Sequence, residues 1–213
     1  MMAKGVFIAF EGIDGSGKTE QVFRLAQWLF SSSKKFTTVV CTREPTWGRF
    51  GKQLRKLARS EKNPYSGAEK FLKLYVADRR DHCAKELLPS LRAGKIVLCD
   101  RFMHSTYAFQ QTQGVPLKRI VAAHKGVPKP DLVLLFDLPA ADAFGRLSKR
   151  NSGANEKFER LKFMERLRGL YLRLPVQFGK DRIVVIDGRG TREQVAERVR
   201  KAVVKSGVLK AFL

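Results

Sequence analysis

Eight residues near the start of the chain restrict its fold more than any others: Gly12-Ile13-Asp14-Gly15-Ser16-Gly17-Lys18-Thr19. They complete a G-x-x-x-x-G-K-T pattern. An apolar run, Val6 to Phe10, precedes it and reads as a buried strand. Val22, Leu25, Ala26 and Leu29 follow at helical spacing. Strand, glycine turn and helix are the context in which successive backbone N–H groups can face one oxyanion at the positive end of a helix. Lys18 would then reach terminal phosphates and the Thr19 hydroxyl would ligate Mg²⁺. The chain is therefore expected to bind a nucleoside triphosphate through Gly12, Ile13, Asp14, Gly15, Ser16, Gly17, Lys18 and Thr19. A plain helix-capping glycine turn is the alternative.

The 213 residues, 44% of them hydrophobic, suit one compact domain, or a domain with a small mobile insertion. No apolar run approaches the ~20 residues needed to span a bilayer. Met1 to Gly5 leads directly into the strand that carries the loop, so a cleaved leader there would remove the site. Cys41, Cys83 and Cys99 form no C-x-x-C pair, and they read as buried free thiols of a reducing cytoplasm. His82, His104 and His124 lack metal-ligand spacing. The net charge of +22 has two readings: a nucleic-acid-binding face, or a field that gathers anionic nucleotides. The cations are scattered along the chain, and aromatic-basic signatures of an RNA-binding sheet are absent. No specific nucleic-acid partner is expected.

Strands predicted over Phe36–Thr42, Ile96–Cys99, Leu132–Phe136 and Arg182–Ile186 join the first one. Helices are predicted over Gly51–Arg59, Ala68–Arg92 and Arg192–Val204. Alternation of this kind predicts an α/β fold, a five-stranded parallel sheet with helices on both faces. Ligands of such sheets lie at the carboxyl ends of the strands. Asp100 stands at such an end, placed to hold a Mg²⁺-bound water or to cap a turn. Tyr75 and Arg79, at i and i+4, share one helix face. That pair could grip a nucleobase; core packing and a solvated charge are the alternatives. No N-K-x-D segment argues for guanine.

With Phe10 to Thr19, Thr42-Arg43-Glu44-Pro45, Ala77-Asp78-Arg79, Asp100-Arg101-Phe102, Ser105 to Gln110 and Pro128 to Leu132 in place, the chain resembles the thymidylate kinase family from Val6 to about Val199. The resemblance implies a P-loop three-layer sandwich, phosphoryl transfer from ATP to dTMP with Mg²⁺, and a homodimer. It implies that Tyr75 stacks on thymine, Arg79 bonds its carbonyl, and Thr106 and Gln110 flank the base edge. Arg101 falls on the acceptor phosphate, helped by Arg43 or Arg55. Glu44 falls near Mg²⁺ and the phosphates, and Asp14 near the acceptor's 3′-hydroxyl. Phe109 takes the place of a ring that excludes a ribose 2′-hydroxyl, without the usual phenol oxygen. Arg189, in Asp187-Gly188-Arg189-Gly190-Thr191, falls beside the adenine.

A monophosphate acceptor is already ionised, so charge neutralisation and alignment suffice and no strong base is needed. One branch of the family carries an arginine inside the loop; Gly15 and Ser16 occupy those positions here. A lid at about 146–160, with Arg146, Lys149, Arg150, Lys157 and Arg160, is expected to supply it. Solvated helix charge is the alternative. The rival functions are another nucleotide or nucleoside kinase of the same layout and a nucleic-acid-associated NTPase.

Overall fold

The computed structural model describes residues 5–32, 38–61, 63–150 and 161–210. Five strands form one parallel sheet: β1 (Val6–Gly12), β2 (Val39–Arg43), β3 (Ile96–Asp100), β4 (Leu132–Asp137) and β5 (Ile183–Asp187), in the spatial order β2-β3-β1-β4-β5. β1 is buried along its whole length, and it pairs with β3 on one side and β4 on the other. That reversal of strand order at β1 opens a crevice at the carboxyl ends, where the glycine loop emerges.

The helices are α1 (Lys18–Ser32), α2 (Arg49–Ser60), α3 (Ala68–His82), α4 (Leu88–Arg92), α5 (Met103–Thr112), α6 (Leu117–Ala123), α7 (Ala140–Arg150), α8 (Leu161–Gln177) and α9 (Arg192–Ser206). Phe7, Ala9, Val97, Cys99, Val133 and Leu135 face a core filled by α3, α5 and α8. Ile8, Phe10, Leu98, Leu132 and Leu134 face a second core, beneath α1 and α9. The period-2 alternation of each strand thus serves two layers, as a doubly covered parallel sheet requires.

The long helix expected over Ala68–Arg92 is interrupted by a π turn, Cys83–Leu87. Pro89 cannot donate to the carbonyl of Lys85, and the wider turn absorbs that mismatch. The second strand begins at Val39, and Phe36 and Thr37 lie outside the described residues. Cys41 is exposed, against the expectation of a buried thiol, because β2 is the edge strand; Cys83 and Cys99 are buried. The Pro-Lys-Pro-Asp motif has a structural use. Asp131 accepts from the Phe7 N–H at 2.8 Å and its own N–H donates to the Phe7 carbonyl at 2.8 Å, locking β4 to β1.

Candidate active site

The loop from Gly12 to Thr19 joins β1 to α1 with Gly12, Gly15 and Gly17 at positive φ. A Cβ on Gly12 would lie 2.5 Å from the Phe136 carbonyl oxygen, so the loop can pass beside β4 only with glycine there. The Ser16 hydroxyl is buried with no partner among the described residues, an orphan polar group inside the cradle. Lys18 is buried and donates to the Ile13 carbonyl at 2.8 Å. Burial first, then the neighbouring Arg101 charge, lower its ammonium to about 8. The Thr19 hydroxyl donates to Asp100, which brings a hydroxyl and a carboxylate oxygen together at the mouth of the loop. Hard oxygen donors of this kind fit Mg²⁺.

Asp100 ends β3, and the chain turns at Arg101 with φ 72°, the one non-glycine positive φ among the described residues. A turn of that hand costs about 1–2 kcal/mol for an L-residue, so the surroundings must impose it. They do. The Arg101 N–H donates to the Phe10 carbonyl at 2.9 Å. Its guanidinium donates to Asp14 at 2.5 Å and to Ser105 and Tyr171 at 3.0 Å each, and lies 5.3 Å from the Phe109 ring centre. Burial alone would raise the Asp14 carboxyl, but Arg101 and Lys18 outweigh it and hold it below its ordinary value. Behind this cluster Glu11, fully buried, accepts from the N–H groups of Phe102 and Ser105 and from the Ser105 hydroxyl. Glu11 and Tyr171 had no assigned role in the sequence. An acid placed directly after the apolar run Val6–Phe10 was the available signal for Glu11.

A cavity of about 860 Å³, including its mouth, opens beside Arg101. Its lining includes Asp14, Arg43, Glu44, Arg55, Tyr75 and Arg79, and also Arg101, Thr106, Phe109 and Gln110. All ten acceptor-side residues expected from the sequence therefore converge on one space. Tyr75 is half-buried, and stacks on Phe71 with ring centres 6.3 Å apart. The Gln110 side-chain oxygen is buried without a partner among the described residues. Arg43 is the exposed cation of the set, 3.9 Å from Asp100. Arg55 donates to the carbonyls of Thr46 and Pro45 and stacks 4.0 Å from the Trp47 ring centre. Gly51 permits this: a Cβ there would lie 1.8 Å from the Thr46 carbonyl oxygen. Asp78 completes the turn, accepting from the Thr46 N–H at 2.8 Å and its hydroxyl at 2.6 Å.

Arg79 is the largest fully buried side chain. Its Nε and Nη2 lie 2.8 and 2.6 Å from Glu44 Oε2, while Glu44 Oε1 lies 2.9 Å from His82 Nδ1. Burial lowers the His82 imidazole, but Glu44 more than reverses this and raises it above its ordinary value. Both Glu44 oxygens are engaged, by Arg79 and His82, and the same carboxylate lines the cavity beside Arg101.

On the other side of the loop the Arg146 guanidinium donates to the Gly188 carbonyl at 3.3 Å, linking α7 to the loop after β5. Arg189 is exposed and pairs with Asp187 at 3.0 Å. Arg168 of α8 forms a two-pronged pair with Asp137 at 2.6 and 2.9 Å, a contact the sequence did not single out. Arg150 ends α7, and residues 151–160, with Lys157 and Arg160, lie outside the described residues.

A glycine-loop cradle for a triphosphate beside a second cavity with an aromatic and cationic lining defines a P-loop nucleotide kinase with separate donor and acceptor sites. The comparisons with known proteins narrow the class. Residues 10–199 match the family described as Thymidylate kinase. A probable thymidylate kinase of Pyrococcus horikoshii is 37% identical over 186 residues, covering 85% of this chain and 88% of that protein. A probable thymidylate kinase of Pyrococcus abyssi is 36% identical over 211 residues, 97% of this chain and 98% of that one. A thymidylate kinase of Xanthomonas campestris is 36% identical over 200 residues, 94% and 83% respectively. The chain belongs to the thymidylate kinase family.

Proposed function

We propose that this protein transfers the terminal phosphoryl group of ATP to dTMP, giving ADP and dTDP. The observation that carries this reading is the convergence of Tyr75, Arg79, Thr106, Phe109 and Gln110 with Arg43 and Arg101 on one cavity that abuts Asp14 of the phosphate loop. The base lies toward Tyr75 and Arg79, with the acceptor phosphate against Arg101 and Asp14 near the sugar. The loop amides and Lys18 take the ATP phosphates. Thr19 and Asp100 would hold Mg²⁺, and the ion would supply neutralisation of phosphate charge.

The acceptor oxygen attacks the γ-phosphorus, and the bond to the β–γ bridging oxygen breaks as ADP leaves. No protein base takes part, since the acceptor phosphate is ionised. Lys18 and Arg101 offset the charge spread over the transferring group, and Arg146 or Arg150 adds to them from the α7 side. Arg101 can do so without rearranging, because Asp14, Ser105 and Tyr171 already fix its plane.

A coupled ADP-release assay with dTMP, dUMP, UMP, CMP and AMP as acceptors tests the reading. dTMP is expected to lead the panel. Faster turnover of UMP or CMP would assign the chain to another acceptor, and ATP hydrolysis stimulated by nucleic acid alone would remove it from the kinases.

We also propose that the enzyme works as a homodimer in the cytoplasm. Its free thiols suit a reducing compartment, and among the described residues no helix is long and apolar enough to cross a membrane. A groove lined by Leu72, Val76, Ala77, Ala122 and Ala123 runs between α3 and α6 and offers a face for a second copy. Sedimentation velocity is expected to give twice the chain mass; a monomer at micromolar concentration overturns the dimer.

A further inference from the structure

His124 sits at the end of α6, outside every motif that carries the family resemblance, yet it touches the central cation of the acceptor cavity. Its Nε2 lies 2.5 Å from Arg79 Nη1, and its Nδ1 lies 2.7 Å from the Ile120 carbonyl oxygen. Arginine has only donors, and a carbonyl only accepts. The two contacts therefore admit one protonation state: hydrogen on Nδ1, directed at Ile120, and a bare Nε2 that accepts from Arg79. The ring is 4% exposed and packs edge-on against Tyr107 at 5.2 Å. Burial and the Arg79 charge together push its pKa down to about 3, in agreement with the state that the contacts require.

The consequence lies in the hydrogen count at Arg79. A guanidinium has five N–H bonds in fixed directions. Nε–H and one Nη2 hydrogen go to Glu44. The two Nη1 hydrogens go to Thr106 at 3.0 Å and to His124. The Phe102 ring, 5.0 Å from the guanidinium carbon, backs one face. One Nη2 hydrogen remains, on a side chain that lines the acceptor cavity.

We infer that His124 is a specificity-determining positioning residue: by accepting one Nη1 hydrogen it fixes the Arg79 plane and leaves a single donor for the base. A lone donor on a buried guanidinium rewards a base that offers a carbonyl oxygen and penalises one that offers an amino group at the same place. Thymine and cytosine differ in this way at one ring position. Without the imidazole acceptor, a second Nη1 hydrogen is unpaired, the guanidinium can pivot, and water can satisfy the mismatch. Discrimination then falls even though Arg79 is intact.

This inference rests on the proposed placement of the base against Arg79, so the experiment separates the two. kcat and KM are measured for dTMP and dCMP at saturating ATP in wild type, His124→Leu, His124→Gln and Arg79→Lys. His124→Leu is expected to lower the dTMP-to-dCMP ratio of kcat/KM about tenfold, through the KM for dTMP, with kcat changed less than about threefold. His124→Gln, whose carbonyl can accept from Arg79, is expected to restore most of the ratio. An unchanged ratio in His124→Leu, with an altered one in Arg79→Lys, overturns the role of His124. An unchanged ratio in Arg79→Lys overturns the placement of the base instead. A measurement on the wild-type chain decides the matter if the Leu variant does not accumulate. ¹⁵N NMR of the His124 ring at pH 6 is expected to show a neutral Nδ1–H tautomer, and a ring protonated at Nε2 overturns the inference.

Discussion

Arg79 and Arg101, on the β2–β3 side of the phosphate loop, each hold three polar partners, and the first of them is completely buried. Arg146 and Arg189, on the β4–β5 side, are exposed, and among the described residues their side chains each bond one other residue. The contrast is one of preorganisation. A guanidinium held by three partners keeps a fixed plane, which is what the base recognition proposed for Arg79 needs. Exposed cations keep rotamer freedom and yield little fixed energy, which would suit the proposed donor side, where ADP has to leave on every cycle.

Lys18 lies at the junction of the two sides, and its loss should have the largest effect. Lys18→Met is expected to lower kcat about a thousandfold with both KM values changed far less, since the charge matters most to the transferring group. The same residue sets a pH limit. With an ammonium at about 8, kcat/KM for ATP should fall as pH rises through 8, because the cation is lost. Lys18→Arg stays charged and should lose that alkaline limb. A limb that persists in Lys18→Arg assigns it elsewhere.

Next comes a pair of substitutions that sets one side against the other. Glu44→Gln leaves a buried guanidinium without its counter-charge, at an expected cost of about 3 kcal/mol and a Tm lower by roughly 6–12 °C. The KM for dTMP should rise about tenfold while that for ATP holds. Asp187→Asn breaks an exposed pair and should leave Tm unchanged. Equal Tm losses would erase the distinction. Below these in size, Arg146→Ala or Arg150→Ala should cost about tenfold in kcat, near 1.4 kcal/mol of barrier, in at least one of the two. If neither does, the α7 side contributes nothing to the transferring group. Tyr75→Ala should raise the KM for dTMP about fivefold, the scale of one aromatic contact, and spare ATP.

Much of this was legible in the chain. The glycine loop has a fixed spacing because its backbone wraps a fixed ligand. Buried parallel strands such as Leu132–Asp137 read as unbroken apolar runs because both faces are covered. The Arg-Glu-Pro and Asp-Arg-Phe segments follow strands, so their place at the sheet's carboxyl edge followed from topology. What stayed hidden depends on long-range pairing. The pairing of Glu44 with Arg79 and His82, 35 and 38 residues away, has no local signal. His124 has no motif around it, and only the packing of α6 brings it to Arg79. Cys41 reads as buried from its apolar neighbours, whereas the strand order puts β2 at the edge. Periodicity says which face is apolar and is silent on which strand has no outer neighbour.

The smallest effect is expected at Arg189, and it tests the donor side most narrowly. Its guanidinium is 69% exposed and pairs with Asp187, whose carboxyl is held down to about 2 by that contact. Both groups are open to water, so an adenine stacked on Arg189 would gain little over solvent, while the loop itself is already fixed. Arg198 donates to the carbonyls of Asp187 and Arg189 at 2.8 and 2.6 Å, and the Thr191 capping box starts α9 immediately after. Arg189→Ala should therefore raise the KM for ATP less than about threefold and leave the KM for dTMP unchanged. Arg198→Ala removes the loop's anchor and should affect ATP more than Arg189→Ala does. If Arg189→Ala costs tenfold or more, an exposed cation on the β4–β5 side is doing what only the buried ones on the opposite side are built to do, and the division between the two halves fails.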